Sequence, residues 1–303
     1  MGFEIKELYP ALQAAYHSLT PVYEPALLSA SESAGLTPSE VSILLAVLTF
    51  EPIPISAQLL NIRSPYTSPA YYHNILIKLK EKGMLESIGD KQFHITSLGL
   101  TSIKTILKSA YNAMSSIQPL LVIDLMDFAS RLKESSDVCY KASEPPGKWC
   151  IQHARKLDPG TGSPVMVRID QFLTELCAYR DDAHLAAWQS YEENGHAWDI
   201  LTLLWLENSL PIESINEKLK RRGNRIEDSR VAIEQLSKKG WIISKNDSFE
   251  ITPFAGEIRK IVEETTDRYY YAPLKFINQN ELEQFLQFLK DFRKGLPSYA
   301  END

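Results

Sequence analysis

Between Lys218 and Lys245 nine Lys or Arg stand against three Asp or Glu, a local charge of +6 that leaves −13 on the rest of a chain whose total is −7. Such a run suits the phosphate backbone of a nucleic acid, which Lys and Arg contact whatever the base sequence. Bases themselves are read by Arg, Asn, Gln, Ser or Thr on an exposed helix face. The candidates for contact with double-stranded DNA are Arg221, Arg222, Arg225, Arg230, Gln235 and Lys238, followed by Lys245. A weaker counterpart, net +2, lies between Ser56 and Phe93, where Tyr71, His73, Asn74 and Lys78 are the candidates. The acidic total does not exclude this, because salt limits the reach of a distant charge to about 10 Å. The plainer alternative is a set of solvated helix faces. Lys238 and Lys239 would then complement a helix C-terminus, and Glu227 and Asp228 a helix N-terminus.

Two other groupings carry chemistry. Asp181, Asp182 and His184 stand together, with His196 further on, and such groups ligate metals. The i, i+4 histidine pair of a helical zinc site is missing, so ion pairing of Arg180, Asp181 and Asp182 with the module that follows is the expected use. Tyr269, Tyr270 and Tyr271 follow Asp267-Arg268 and suit a small-molecule pocket between modules, or equally the closing of a core. The tryptophans at 149, 188, 198, 205 and 241 read first as core. There is no glycine-rich phosphate loop, no G-x-S-x-G and no supported pair of catalytic carboxylates, so no enzymatic activity, cofactor or metal is expected. Three widely spaced cysteines argue for a reducing compartment. No apolar run reaches the ~18–20 residues of a membrane span, and no basic-then-apolar leader opens the chain, so the expected location is cytoplasmic, with no membrane partner.

The elements that must position these residues are visible as a repeat. Gln235-Leu-Ser-Lys-Lys-Gly-Trp-Ile-Ile-Ser-Lys-Asn-Asp-Ser-Phe-Glu-Ile-Thr252 reads as a helix end, a glycine stop and a two-stranded wing around Asn246-Asp247. Lys78–Thr96 has the same chemistry: Gly83 and Asp90 match Gly240 and Asp247 at an offset of 157, and Phe93, Ile95 and Thr96 match Phe249, Ile251 and Thr252 at 156. Two winged-helix modules follow from this. In the first, Thr37-Pro-Ser-Glu40 starts a helix as a capping box, and Ser56–Asn61 is a short helix. A candidate recognition helix then starts at Ser68-Pro69, with Tyr72, Ile75, Leu76 and Leu79 inward. In the second, Trp198, Leu201 and Trp205 share a helix face, Asn208–Pro211 turns, Ile212–Lys220 is the next helix, and Ile226–Lys239 is the candidate recognition helix, with Ala232, Ile233 and Leu236 inward. Residues 1–36 read as two helices, the second from Pro25. The middle is helical with a break at Pro119, and helices over Ala255–Tyr270 and Asn280–Lys294 close the chain. Asn280 is the expected cap of the last helix, and Pro297–Asp303 reads as a frayed tail.

The path from Leu36 to Leu100 resembles a MarR-type winged-helix module on Leu36-Thr37, Leu79–Gly83, Ile95-Thr96 and Gly99. Tyr179-Arg-Asp-Asp-Ala-His-Leu-Ala-Ala-Trp188, the second winged unit and Thr266-Asp-Arg-Tyr-Tyr-Tyr-Ala-Pro273 together resemble a family of bacterial MarR-like helix-turn-helix proteins without an assigned activity. The resemblance implies a regulator-like scaffold.

The expected fold is mostly α with small β-hairpin wings. Its parts are N-terminal helices over 1–36, a first winged-helix module over 37–100, a helical linker region over 101–194, a second module over 195–273, and a C-terminal helix and tail over 274–303. The expected function is DNA-binding transcriptional regulation, with the two modules forming an intramolecular pseudo-dimer, or the chain forming a homodimer, and a small-molecule effector as a second candidate partner. The competing reading is a scaffold that holds a protein or small ligand without DNA.

Overall fold

Both glycine stops close their helices with one hydrogen-bond pattern. The Gly83 and Gly240 amides bond back to Lys80 and Ser237 at 2.9 Å each, and the Met84 and Trp241 amides to Leu79 and Leu236, also at 2.9 Å. This is the double bond set that ends a helix on a left-handed residue, and both glycines have φ of +72°. The wings then close alike. Thr96 and Thr252 donate their amides to Met84 and Trp241 at 3.0 and 2.9 Å, and their hydroxyls to Gly83 and Gly240 at 2.7 and 2.8 Å. The repeat read in the sequence is therefore a repeat of hydrogen bonds.

The computed structural model describes residues 4–191 and 193–297. The order is α1 (Leu8–Ser33), α2 (Pro38–Phe50), α3 (Ala57–Arg63), α4 (Pro69–Glu81), β1 (Leu85–Gly89), β2 (Gln92–Ile95), α5 (Ser97–Ser115), α6 (Val122–Lys141), α7 (Trp149–Arg155) and α8 (Val165–Trp188). Then come α9 (Gly195–Glu207), β3 (Ser209–Leu210), α10 (Ile212–Leu219), α11 (Ile226–Lys238), β4 (Ile242–Lys245), β5 (Ser248–Ile251), α12 (Pro253–Tyr271) and α13 (Gln279–Gly295). The protein is mostly α with small β wings, as expected. No single described helix is long and apolar enough to cross a membrane.

The chain divides into two compact units. One combines residues 1–49, 97–186 and 266–303; the other combines 50–96 and 187–265, so both wings belong to the same unit.

In the first unit α1 packs against α5 and α13, and α6 against α13. Phe128 of α6 lies within 5.2–6.3 Å, centroid to centroid, of Phe285, Phe288 and Phe292 of α13. Two expectations are corrected here. The N-terminal segment is one helix from Leu8, not two, and it carries Pro21 and Pro25 inside it. An interior proline forfeits a backbone bond, but the helix is continuous past both, with Leu8, Leu12, Ala15 and Leu19 fully buried before them, Ser31 buried after them, and α5 and α13 packed against it. The cap of α13 is Asn278, not Asn280: its side chain accepts from the Glu281 amide at 3.0 Å, and Glu281 accepts from the Asn278 amide at 2.8 Å. Of the expected frayed tail, residues 298–303 lie outside the described residues.

In the second unit β3 pairs with β5, making the second wing a three-stranded sheet in the order β3-β5-β4, with Leu210 opposite Phe249. The first wing has a single-residue version of the same strand: Ile55 and Phe93 exchange amide bonds of 2.9 and 3.0 Å. The expected turn over Asn208–Pro211 thus contains a strand. A stack of Tyr191, Trp198 and Trp188, with centroids 6.2 and 5.5 Å apart, fills the core beneath α9.

Candidate nucleic-acid interface

Helices α10 and α11 with the turn between them form the helix-turn-helix of the second wing. Burial of Ala232, Ile233 and Leu236 fixes the inward face of α11, and Ile215 that of α10. Glu227, Arg230, Glu234, Gln235 and Lys238 are consequently exposed. The cations then separate according to what lies beside them.

Arg222 is tied down. Its Nε donates to Asp199 Oδ2 at 2.9 Å, and its guanidinium lies 5.2 Å from the centre of the Tyr66 ring. Burial raises the Asp199 carboxyl, and Arg222 pulls it partly back. Arg225 precedes α11 and is gripped by Asp228, which accepts from its backbone amide at 2.9 Å and from its guanidinium at 3.2 and 3.3 Å. Those bonds hold the Asp228 carboxyl below its ordinary value. Asp228 thus serves the N-terminus of α11. Lys238 pairs with Glu234 at 2.7 Å, and Lys245 with Glu250 at 3.5 Å. Arg221 and Arg230 are exposed and have no ion pair or hydrogen bond among the described residues. On α4, Asn74 and Lys78 are exposed, and Tyr71 and His73 half-buried.

The segment that leads into α4 is bonded to the second module. Ser68 stands at the N-cap position as expected, but its side chain makes no capping bond. Its amide donates instead to the Arg222 carbonyl at 2.9 Å. Asn224 Nδ2 donates to the Tyr66 carbonyl at 3.2 Å, and Trp188 Nε1 to the Tyr66 hydroxyl at 2.9 Å. Two glycines make this approach possible: a Cβ on Gly223 would lie 2.5 Å from Tyr71 Cβ, and one on Gly195 would lie 2.3 Å from the Pro65 carbonyl oxygen.

Helices α4 and α11 therefore share a cleft of about 740 Å³. Equivalent positions of the repeat line it in pairs at an offset of 157: Ser68 with Arg225, Tyr71 with Asp228, and Asn74 with Val231. Gln235 and His196 line it as well. His196 is buried and lies 3.0 Å through Nε2 from Ser229 Oγ, while its Nδ1 has no hydrogen-bond partner. Neither the cleft nor the docking of α4 had a signal in the sequence beyond the repeat itself.

The other candidates sit in the first unit. Tyr270 and Tyr271 are buried and Tyr269 is half-buried. Tyr270 meets Tyr9 and Tyr271 edge to face at 5.2 and 5.0 Å, and none of the three lines the cleft just described. Asp182 accepts the amides of Cys150 and Ile151 at 2.7 and 2.9 Å, capping the short helix α7 from α8. Arg180 pairs with Asp267 at 2.7 Å, inside the expected span 195–273, whereas Asp182, expected to pair with that span too, caps α7 instead. Among the described residues no group of three or more His, Cys, Asp or Glu is placed to hold a metal. One residue in the winged unit went unread: Arg259 of α12 is buried between Trp198 and Trp205, at 4.8 and 5.1 Å, and pairs with Glu263 at 2.9 Å.

No curated protein and no solved structure matches the chain. A family model described as a helix-turn-helix family matches residues 162–299, a span that includes the whole second winged unit from α9 to α12, so this part of the chain is similar to helix-turn-helix proteins.

Proposed function

We propose that the protein is a DNA-binding transcriptional regulator of MarR-like winged-helix type, which acts by binding rather than by catalysis. The observation that carries this reading is the helix-turn-helix match over a module whose Arg221 and Arg230 stand exposed, with no ion pair among the described residues. These two arginines, with Lys245 on the wing, are the phosphate contacts, and α11 is the helix offered to a groove. The two winged units of one chain stand in for two subunits. With Ser68, just before α4, bonded to the Arg222 carbonyl, the first winged-helix module contributes through Lys78, further along that helix.

Fluorescence anisotropy with mixed genomic duplexes between 50 and 200 mM salt tests this. Affinity falls steeply with salt, and Arg221→Ala with Arg230→Ala flattens the log–log slope by about 2, roughly one per lost phosphate contact. An unchanged slope removes these arginines from the interface. Sedimentation at the assay concentration separates the one-chain pseudo-dimer from a homodimer.

The cleft favours a second reading, in which a small-molecule effector binds between the modules. At about 740 Å³ it lies within the range of small-molecule sites, roughly 300–1,000 Å³.

A further inference from the structure

We propose that the cleft between α4 and α11 binds a small molecule through an oxyanion head group, carboxylate or phosphate, seated on the N-terminus of α4. This deepens the effector reading above and rests on it only for its regulatory consequence.

The argument begins with the first turn of α4. Pro69 has no amide proton, and the Tyr72 amide already bonds to the Ser68 carbonyl at 3.2 Å. The amides of Ala70 and Tyr71 have no partner among the described residues, and the Ser68 hydroxyl does not cap them. A helix N-terminus carries about half a positive charge, and bare amides there bind anions. Here both amides belong to residues that line the cleft.

A second observation is independent of the helix. His196 is only 8% exposed, lines the same cleft, and has an Nδ1 without a hydrogen-bond partner. When Ser229 donates its hydroxyl to Nε2, Nδ1 carries the proton and is a buried donor that lacks an acceptor. Buried polar atoms are rarely left so.

The charge balance also favours an anion. Asp228 is the acid in the cleft, and its oxygens are engaged by the Arg225 amide and guanidinium. What remains to meet a ligand is the dipole of α4, the Arg225 guanidinium and the carboxamides of Asn74 and Gln235, which make no hydrogen bonds among the described residues. Val231 and Ala232 supply an apolar wall for the body of the molecule.

The consequence is competition. Asn74, Arg225 and Gln235, candidates for reading bases, are cleft residues. A molecule seated there holds α4 and α11 to each other and withdraws those side chains from a duplex.

The test uses the whole chain, with inorganic phosphate and citrate as separate probes and sodium chloride at matched ionic strength as control. Amide-resolved NMR is expected to show saturable shifts of Ala70 and Tyr71 with at least one probe and none with chloride; whichever probe binds identifies the head group. Ser68→Asp supplies an internal carboxylate to the same amides. Aspartate caps as well as serine, so the fold persists, checked by an unchanged melting temperature, and oxyanion affinity falls at least tenfold. Arg225→Gln weakens it several-fold. Absence of saturable shifts, or equal affinity in Ser68→Asp, overturns the site. Competition against a duplex separates the two readings. If oxyanion binds and no DNA does, the site stands and the regulator falls; if DNA binds and no oxyanion does, the reverse holds.

Discussion

Replacing Gly223 by Ala tests the docking of α4 on the second module. The residue has φ of +68°, so an L side chain there costs roughly 1–2 kcal/mol of backbone strain. The new Cβ would also lie 2.5–2.6 Å from Cβ, Cγ and Cδ2 of Tyr71. Relieving such overpacking costs typically about 1–3 kcal/mol more. Gly240 is the control: its φ is +72°, but a Cβ there meets nothing within 4 Å, so Gly240→Ala carries the strain alone. The expected result is that Gly223→Ala destabilises the winged unit by about 2–5 kcal/mol and Gly240→Ala by about 1–2. Urea unfolding followed by tryptophan fluorescence reads this in a Trp149→Phe background, where the remaining tryptophans (188, 198, 205 and 241) all belong to the winged unit. The difference between the two variants isolates the contact with Tyr71. Equal destabilisation would mean that Tyr71 does not rest on that loop in solution, and the shared cleft would go with it.

Two further outcomes concern the first unit. Asp182→Ala leaves the Cys150 and Ile151 amides without their charged acceptor and should destabilise by about 2–4 kcal/mol, with hydrogen exchange accelerating first at those two amides. Burial pushes the Asp170 carboxyl up to about 7 from an ordinary 3.8, while a hydrogen bond from Tyr23 pulls it part of the way back. The folded chain therefore keeps a proton that the unfolded chain has released between those values. The stability contributed by this group is complete near pH 4 and is lost as the pH rises through about 7. Urea midpoints from pH 4 to 8 should show that decline, and Asp170→Asn should flatten it; a slope unchanged in the variant would assign the dependence elsewhere.

What could be read from the chain beforehand follows how far apart the interacting residues are. The stops at Gly83 and Gly240 and the wings after them depend on bonds spanning at most 13 residues, and their side-chain types announce them. The correct cap of α13 was also present, as Asn278 three residues before Glu281, but a second asparagine at 280 offered a rival start two residues on. The third strands were not legible, because one or two residues show no alternation and their partners lie some 40 residues away. Nor was α1: Pro21 and Pro25 are local signals to break, overruled by packing on α5 and α13, which come much later in the chain. The Asp182 cap, acting across 31 and 32 residues, fails for the same reason.

The cationic run shows why composition bounds a site without locating it. Its +6 counts Arg221, Arg222, Arg225 and Arg230 alike. Asp199, 23 residues before Arg222, distinguishes that arginine from its neighbour. Moving Arg222 onto a phosphate would leave Asp199, a carboxylate with a 16% exposed side chain, without its cation, and uncompensated partly buried charge is costly. Arg225 faces a smaller barrier, because its pair with Asp228 is largely exposed and worth little by itself. It can exchange Asp228 for another oxyanion, while Asp228 keeps the backbone amide it caps. Arg221 and Arg230 have no partner among the described residues to give up. The order in which these arginines respond to a polyanion should therefore be Arg221 and Arg230, then Arg225, then Arg222, set by what each must leave rather than by its place in the sequence.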